Sequence, residues 1–289
     1  FELGRARDGA FEVAERLFNI TLERVDVAGW HPSVEAYDVK DNATDEHLGL
    51  FMIDIFSRES KRGGAWMSGY RDSSAMDGRV IRPLITNNMN MVAPASGQPA
   101  LMSFTEVETL FHEFGHGLHG LLTTIRYPSF AGTYGGPDYV EFPAQVLEHW
   151  ASEPQVLAEY ARHNVTGEVI PQALIDKMNN AATFNQGFKT TEYIAASLID
   201  LHWHMLSSEE AAKITDARAF ELEVLKKYNI PEVIEPRYRT TYFSHIFDGG
   251  YSAGYYAYLW AEILDADGFD AFKQSGDIYN PELSAKLKK

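Results

Sequence analysis

Hydrophobic residues follow two different periods in the first hundred positions of the chain. In residues 8–26 they recur every three or four positions, as on one face of an amphipathic helix. The runs "SVEAYDV" and "LGLFMIDIFS" instead alternate in part between apolar and polar residues, and a polar, turn-rich connection separates them. This alternation predicts a hairpin or a small sheet, with a further strand near residues 80–86. The intervening segment "SRESKRGGAWMSGYRD" combines paired glycines with surface charges and is predicted to be a loop.

The helical period dominates from Ser103 onward. It marks residues 103–124, 138–162, 171–206, 208–228 and 252–265. Proline and glycine residues separate these segments, as is typical of helix ends and loops. The pattern predicts a mainly α protein with a small β-sheet, that is, an α+β fold. We expect one domain over residues 1–289, made of a mixed α/β entry section (1–100) and a helical body (101–289).

Composition and charge narrow the classes of partner. The chain carries 25 Lys and Arg against 41 Asp and Glu, a formal net charge of −16, and has no Lys/Arg-rich run to neutralise a phosphate backbone. Nucleic acid is therefore not expected as a partner. No apolar run approaches the roughly 20 residues that cross a bilayer, so no membrane partner is expected either. The chain has no Cys, which confines any metal site to His, Asp and Glu ligands.

The helix predicted over residues 103–124 contains the pattern His-Glu-x-x-His within "ETLFHEFGHGLHGLL". His112 and His116 are four positions apart, so their Cβ atoms lie about 5–6 Å apart on one helix face. Both imidazoles can then bind one cation. Glu113, one position after the first histidine, is placed to act as general base toward a water molecule that the metal polarises. The alternative is a polar helix face that binds no metal.

A catalytic zinc ion needs a third protein ligand and an open position for water. The metzincin pattern is excluded, because Leu122 stands where that class has its third histidine. Two carboxylates of the next predicted helix are candidates, Glu141 and Glu148. Spacing favours Glu141, because a link rich in glycine and proline lets its helix fold back beside the end of the first. A capping box that starts at Asp138 is the competing role for Glu141, and His119 is expected to pack beside the metal rather than bind it.

These residues resemble a known family. "TLFHEFGHGLHGL", followed by "DYVEFPAQVLEHWASEP", is similar to the zinc signature of the thimet oligopeptidase and peptidyl-dipeptidase family, and similar blocks extend over about residues 8–272. The resemblance implies a zincin-like metallopeptidase catalytic domain with Zn²⁺ bound by His112, His116 and Glu141. Glu148 is then expected to hydrogen-bond a ligand from outside the metal's coordination sphere. The blocks "VEFP", "KRGGAWM" and "YYAYLW" resemble the bacterial peptidyl-dipeptidases most.

The resemblance also implies a longer protein. Members of the family are more than twice as long as this chain and have a helical N-terminal half, so we expect a C-terminal fragment whose partner is the missing half. Within the signature, Ala144 stands where Ser is usual in the family. The expected compartment is the cytoplasm, with the periplasm as the alternative, because any targeting segment would precede Phe1.

A second set of candidate residues lies in "SHIFDGGYSAGYYAYLW". Tyr251, Tyr255 and Tyr258 share one helical stripe, and such a stripe more often belongs to a core than to a catalytic site. Peptide hydrolysis, however, requires a hydrogen-bond donor for the developing oxyanion, and a phenol or an imidazolium supplies one. The resemblance implies this role for a Tyr and a His of the segment, which by position are Tyr258, Tyr251 and His245.

The predicted function is zinc-dependent hydrolysis of short peptides, and the resemblance implies release of C-terminal dipeptides. General oligoendopeptidase activity is the alternative within the family. An inactive fragment that binds zinc for structure alone, or that holds a peptide without cleaving it, is the alternative from another class of function. Glu113 and the tyrosines favour an enzyme, because they serve no structural purpose that ordinary helix formers would not serve as well.

Overall fold

A computed structural model describes residues 1–289, except for the side chain of Asp77. The strands in it are β1 (Ile20–Val25), β2 (Glu35–Asp41), β3 (His47–Phe56), β4 (Trp66–Arg71) and β5 (Leu84–Met91). The α-helices are α1 (Leu3–Phe18), α2 (Phe104–Leu122), α3 (Pro137–Val140), α4 (Phe142–Ser152), α5 (Pro154–Tyr160), α6 (Gln172–Ala182), α7 (Gln186–His204), α8 (Ser208–Ala211), α9 (Ala217–Lys227), α10 (Ser244–Phe247), α11 (Ala257–Ser275) and α12 (Pro281–Leu287). Helices predominate over one small sheet, which confirms the predicted α+β class.

The strands form one sheet in the order β1-β2-β3-β5-β4. β3 and β5 pair in parallel, and the other neighbours pair antiparallel. The predicted strands "SVEAYDV" and "LGLFMIDIFS" correspond to β2 and β3. The strand expected near residues 80–86 instead begins at Leu84, directly after Pro83, which has no N–H for a ladder hydrogen bond.

Two local predictions in the first hundred residues were wrong. The helix predicted over residues 8–26 ends at Phe18, because Asn19 adopts the left-handed conformation with φ 53° and residues 20–25 continue as β1. The β1 residues pair along their length with β2, so sheet formation overrides the helical spacing of the sequence. The segment predicted as a loop contains the edge strand β4, which pairs antiparallel with β5.

Helix α2 packs on the sheet through aromatic side chains. The ring centroid of Phe114 lies 5.3 Å from that of Phe51 in β3 and 5.2 Å from that of Phe11 in α1. Phe11 also contacts Tyr37 of β2 edge-on at 4.9 Å. These four rings are buried, and full burial of one such side chain stabilises the fold by about 1.5–3 kcal/mol. The core shared by α1, α2 and the sheet therefore fixes the position of the helix that carries His112.

The chain divides into two compact units. The first contains Phe1–Pro171 and Glu262–Lys289, and the second contains Gln172–Ala261. The first unit holds the sheet and the helices α1 to α5. In the second unit, α7 and α9 share a core made by Ala195, Ile199, Val224 and Leu225. The sequence-based division at residues 100 and 101 stays a prediction.

None of the described helices combines the length and the apolar character that a bilayer crossing requires. The longest, α2, α7 and α11, have 19 residues each and carry charged side chains.

Candidate metal centre

Helix α2 carries the two histidines of the motif. The helix starts with a capping box, in which Ser103 Oγ accepts a hydrogen bond from the Glu106 N–H at 3.2 Å and Glu106 Oε2 accepts from the Ser103 N–H at 2.7 Å. His112 and His116 follow two and three turns later, with ring centroids 4.8 Å apart. The predicted placement of both imidazoles on one helix face is confirmed.

Helix α4 brings the third residue. Glu141 lies at the break between α3 and α4 and is 1% exposed. A Cβ on Gly115 of α2 would lie 2.5 Å from the Pro143 carbonyl oxygen and 2.6 Å from Ala144 Cα, so α2 and α4 pack closely only because residue 115 is glycine. The buried Ala144 is part of this contact. The competing capping box is not formed, because the N-cap of α3 is Gly136 and no side chain caps the helix.

The three side chains converge on one point. Glu141 Oε2 lies 3.2 Å from His112 Nε2 and 3.2 Å from His116 Nε2, and the candidate ligand atoms of all three residues lie within 4.8 Å of one another. Two ligands that each bind a tetrahedral zinc ion at about 2.0–2.1 Å lie about 3.3 Å apart. The residues present therefore fit a metal ion of this size and geometry.

Glu148 fixes the orientation of His112. Its Oε1 lies 2.5 Å from His112 Nδ1, and Glu148 follows Glu141 by seven positions, about two helical turns. Because Nδ1 is engaged by this carboxylate, Nε2 is left facing Glu141 and His116. Burial alone would lower the pKa of His112, but Glu141 and Glu148 outweigh it and hold the pKa well above its usual value. Among the two carboxylates predicted as alternatives, the geometry therefore places Glu141 in the cluster and Glu148 behind it.

Glu113 is also buried, at 5% exposure. Its Oε2 has no hydrogen-bond partner among the described residues. Burial raises the pKa of Glu113, and the neighbouring His112 and His116 oppose that rise only in part. A carboxylate in this environment accepts a proton more readily than an exposed one and can return it, which suits a general acid–base role.

The pKa values of Glu141 and His119 are both lowered, but for different reasons. Burial would raise the pKa of Glu141, but the hydrogen bonds and charges of His112 and His116 lower it, so the carboxylate stays ionised. Burial and the charge of His116 lower the pKa of His119 to about 4. His119 is therefore a neutral imidazole near pH 7, and its ring lies 6.2 Å from that of Tyr139.

The tyrosine and histidine candidates lie together in the second unit. The rings of Tyr251 and Tyr258 stack with centroids 5.5 Å apart. His245 lies 6.1 Å from Tyr251 and 6.2 Å from Tyr258, centroid to centroid. Tyr255 is buried against Phe243 in the core of this unit. The helical stripe is thus split: Tyr255 is a core residue, whereas Tyr251, Tyr258 and His245 are partly exposed.

Sequence reasoning missed the residues that hold these elements in place. Gly115 is needed for the contact between α2 and α4, and Asp200 of α7 accepts hydrogen bonds from the backbone of the tyrosine segment. A signal for Asp200 was available, because it is the one acidic residue in the mostly apolar run "IAASLIDLHW". Its partners, more than 50 residues away, were not visible in the sequence.

Comparisons with known proteins show the family of the chain. The model of peptidase family M3 matches residues 1–289. Dipeptidyl carboxypeptidase of Escherichia coli is 45% identical over 281 residues, which cover 96% of this chain and 40% of that protein. The dipeptidyl carboxypeptidase of Salmonella typhimurium is 44% identical over 94% of this chain and 40% of that protein. Oligopeptidase A of Escherichia coli is 41% identical over 98% of this chain and 41% of that protein.

The chain spans about two fifths of the length of these relatives. The residues that the family model matches include the His-Glu-x-x-His helix and the helix that carries Glu141. The predicted resemblance is therefore confirmed, and the chain belongs to peptidase family M3.

Proposed function

We propose that this chain is the zinc-binding catalytic part of a metallopeptidase. The observation that carries the proposal is the convergence of His112 Nε2, His116 Nε2 and a carboxylate oxygen of Glu141 beside the buried Glu113. Two imidazoles and one carboxylate are the ligand set of a class of catalytic zinc sites, and three protein ligands leave a fourth position open. The absence of Cys is consistent with such a site.

Each residue of the centre then has a defined task. A bound zinc ion supplies Lewis-acid chemistry, which polarises water and the peptide carbonyl. Glu113 takes a proton from the attacking water and passes it to the amine that leaves, and its raised pKa suits both transfers. Glu148 holds His112 in the tautomer that presents Nε2.

We assign stabilisation of the oxyanion to Tyr258, with His245 or Tyr251. A phenol O–H or an imidazolium N–H donates the hydrogen bond that the tetrahedral intermediate requires. The support is the family resemblance of this segment and the stacked, partly exposed pair that Tyr251 and Tyr258 form.

The proposed substrates are short peptides, and the preferred specificity is release of C-terminal dipeptides. The support is that two relatives with 44–45% identity are named dipeptidyl carboxypeptidases. The alternative, cleavage within oligopeptides, is supported by the relatives named oligopeptidase A. Because the relatives are longer, we propose that the remaining part of such a protein is the physical partner of this chain.

The test begins with the metal. Protein purified without added metal should contain about one zinc per chain by elemental analysis, and His112→Ala should lose it. Glu113→Gln should keep the zinc but lose about 10²–10⁴-fold in peptide cleavage. If the unmodified chain and Glu113→Gln both bind zinc and both cleave peptides only at the background rate, the inactive module is favoured. A folded protein that takes up no zinc would refute the proposal.

A second experiment separates the two specificities. A peptide with a free C-terminus and its C-terminally amidated copy should be cleaved at very different rates by a dipeptidyl carboxypeptidase, which releases a dipeptide with a free carboxylate. Equal rates for the two peptides, with products from internal bonds, would favour the oligopeptidase. Mass spectrometry of the products reads the outcome directly.

A further inference from the structure

A loop of the second unit, residues 248–256, carries Tyr251 and leads into α11 with Tyr258; we name it the Tyr251 loop. Two backbone hydrogen bonds join it to α10: the Gly249 N–H donates to Ser244 O at 2.7 Å, and the Tyr251 N–H donates to His245 O at 2.9 Å. A Cβ on Gly249 would lie 2.9 Å from His245 Cα, so glycine is required there.

One residue outside the loop accepts hydrogen bonds from two of the loop's backbone N–H groups. Asp200 of α7 is 0% exposed. Its Oδ1 accepts a hydrogen bond from the Ala253 N–H at 2.9 Å, and its Oδ2 accepts from the Tyr255 N–H at 2.9 Å. His204, one turn further along α7, has its Nδ1 2.8 Å from Asp200 Oδ1. A buried carboxylate is costly unless it is hydrogen-bonded, and here both of its oxygens have donors.

The first of these N–H groups belongs to a strained residue. Ala253 has φ 53°, a left-handed conformation that is unfavourable for a residue with a Cβ. Such strain persists only where surrounding contacts hold it, and it clusters at functional sites. Asp200 supplies one of those contacts, because the hydrogen bond to its Oδ1 is made by the strained residue itself.

Tyr193 holds the loop from a second point on the same helix. It precedes Asp200 by seven positions, which places both on one face of α7. The Tyr193 hydroxyl donates to the Tyr255 carbonyl oxygen, and it accepts from the Leu259 N–H at 3.3 Å. The face of α7 therefore contacts the end of the Tyr251 loop and the first turn of α11, on either side of Tyr258.

We infer that Asp200 is a positioning residue of the enzyme: through the backbone of the Tyr251 loop it holds Tyr251 and Tyr258 in the arrangement that receives the oxyanion. This inference rests on the function proposed above for Tyr258. Asp200 touches no reacting atom in this account. It acts by keeping two backbone N–H groups, and with them the stacked tyrosine rings, in one place.

The main variant is Asp200→Asn, which keeps the shape but turns one acceptor oxygen into an N–H donor that faces a backbone N–H. Amide hydrogen exchange of peptides that cover residues 246–259 should become faster in the zinc-loaded variant, with zinc content unchanged. Because a misplacement of about 1 Å costs about a hundredfold in rate, kcat should fall by about that factor, with a smaller change in KM. Unchanged exchange in the loop would overturn the inference.

A double-mutant cycle with Tyr258→Phe tests whether Asp200 acts through the tyrosine. If it does, Asp200→Asn should lower kcat much less in the Tyr258→Phe background than in the unmodified chain, because the hydroxyl that it positions is already absent. Fully additive losses would show a merely structural role. If Tyr258→Phe leaves kcat unchanged, the proposed role of Tyr258 is wrong and the catalytic part of this inference falls with it, whereas faster exchange would still show that Asp200 holds the loop.

Two further variants complete the design. Glu221→Gln is the matched control: Glu221 is also a buried carboxylate of the second unit, but its Oε1 accepts from the Thr240 N–H at 2.5 Å, outside the loop. It should leave exchange of residues 246–259 unchanged. Tyr193→Phe removes the second point of attachment without a charge and decides the matter if Asp200→Asn does not fold: faster loop exchange and a lower kcat support the inference, and wild-type values of both refute it.

Discussion

The candidate metal centre of the first unit and the tyrosine cluster of the second are positioned by different kinds of contact. His112 and His116 are neighbours because they lie four residues apart on one helix, and a single close helix contact at Gly115 brings Glu141 to them. The tyrosines depend on a loop whose backbone is held by a residue more than 50 positions away. Residues that are close in sequence therefore determine the geometry of the candidate ligands, whereas long-range hydrogen bonds determine the position of a hydrogen-bond donor on a loop.

If the two regions have separate tasks, Tyr258→Phe should strongly lower turnover and leave metal binding unchanged. Loss of one preorganised oxyanion donor costs about 10²–10³ in kcat. Steady-state kinetics and zinc analysis of the same samples check this, with Tyr256→Phe as the control because the Tyr256 side chain is 40% exposed. A Tyr258→Phe protein that loses its zinc would break the separation.

Gly115→Ala tests the close contact between α2 and α4 that brings Glu141 to the two histidines. The added Cβ would lie 2.5 Å from the Pro143 carbonyl oxygen, and backbone atoms cannot move aside as a flexible side chain can. We expect a loss of about 3 kcal/mol in the free energy of unfolding and weaker zinc binding, because α4 must shift away from α2. Gly63→Ala is the matched control, since a Cβ there meets no atom within 4 Å. Equal stability of the two variants, measured by urea unfolding, would contradict the close-contact account.

Glu148→Gln should weaken zinc binding by about 10–100-fold, because partners that orient a metal ligand contribute that much to affinity. The variant also has a pH signature. Glu148 helps to raise the pKa of His112, and the proton on His112 must leave before the metal binds, so zinc affinity should rise with pH. Removing the carboxylate charge lowers the pKa of His112, so this rise should begin at a lower pH in the variant. Zinc titrations between pH 5 and 8 at constant ionic strength measure both effects, and a curve shifted to higher pH would refute the assignment.

His119→Leu should have the smallest effect on the metal, with about one zinc per chain retained, because His119 lies outside the cluster. The pKa of His119 is lowered to about 4, so between that pH and about 6.5 the unfolded chain binds more protons than the folded one. Stability of the metal-free protein should therefore fall as the pH drops through this range, and His119→Leu should reduce that fall. Loss of zinc in the variant would make His119 a ligand and overturn the predicted set.

The sequence was informative where a short spacing decides the geometry. The His-Glu-x-x-His pair, the α2 helix and the choice of Glu141 over Glu148 follow from positions along one or two helices. The helix predicted over 138–162 is in fact broken around Glu141 and again at Glu153, next to Pro143 and Pro154. These breaks let a buried carboxylate leave the regular helical path, and the hydrophobic period alone did not show them.

Long-range pairing explains the predictions that failed. Residues 20–25 have helical spacing, but the left-handed Asn19 ends α1 and the sheet edge takes the segment as β1. The sequence did not indicate β4, because glycines and charged residues surround it. The segment is a strand because it pairs with β5. The role of Asp200 could not be predicted from its own helix, because the loop residue that donates to it, Ala253, lies more than 50 positions away in the sequence.

The break before α4 has a consequence for the fate of the chain in a cell. Because the two histidines lie on α2 and Glu141 lies at the start of α4, a bound zinc ion would tie the two helices together much as a cross-link does. A ligand present at a hundred times its dissociation constant adds about 2.7 kcal/mol to the folded state. Zinc supply would then govern abundance as well as activity, since a metal-starved chain opens more often and is the form that cellular proteases degrade first.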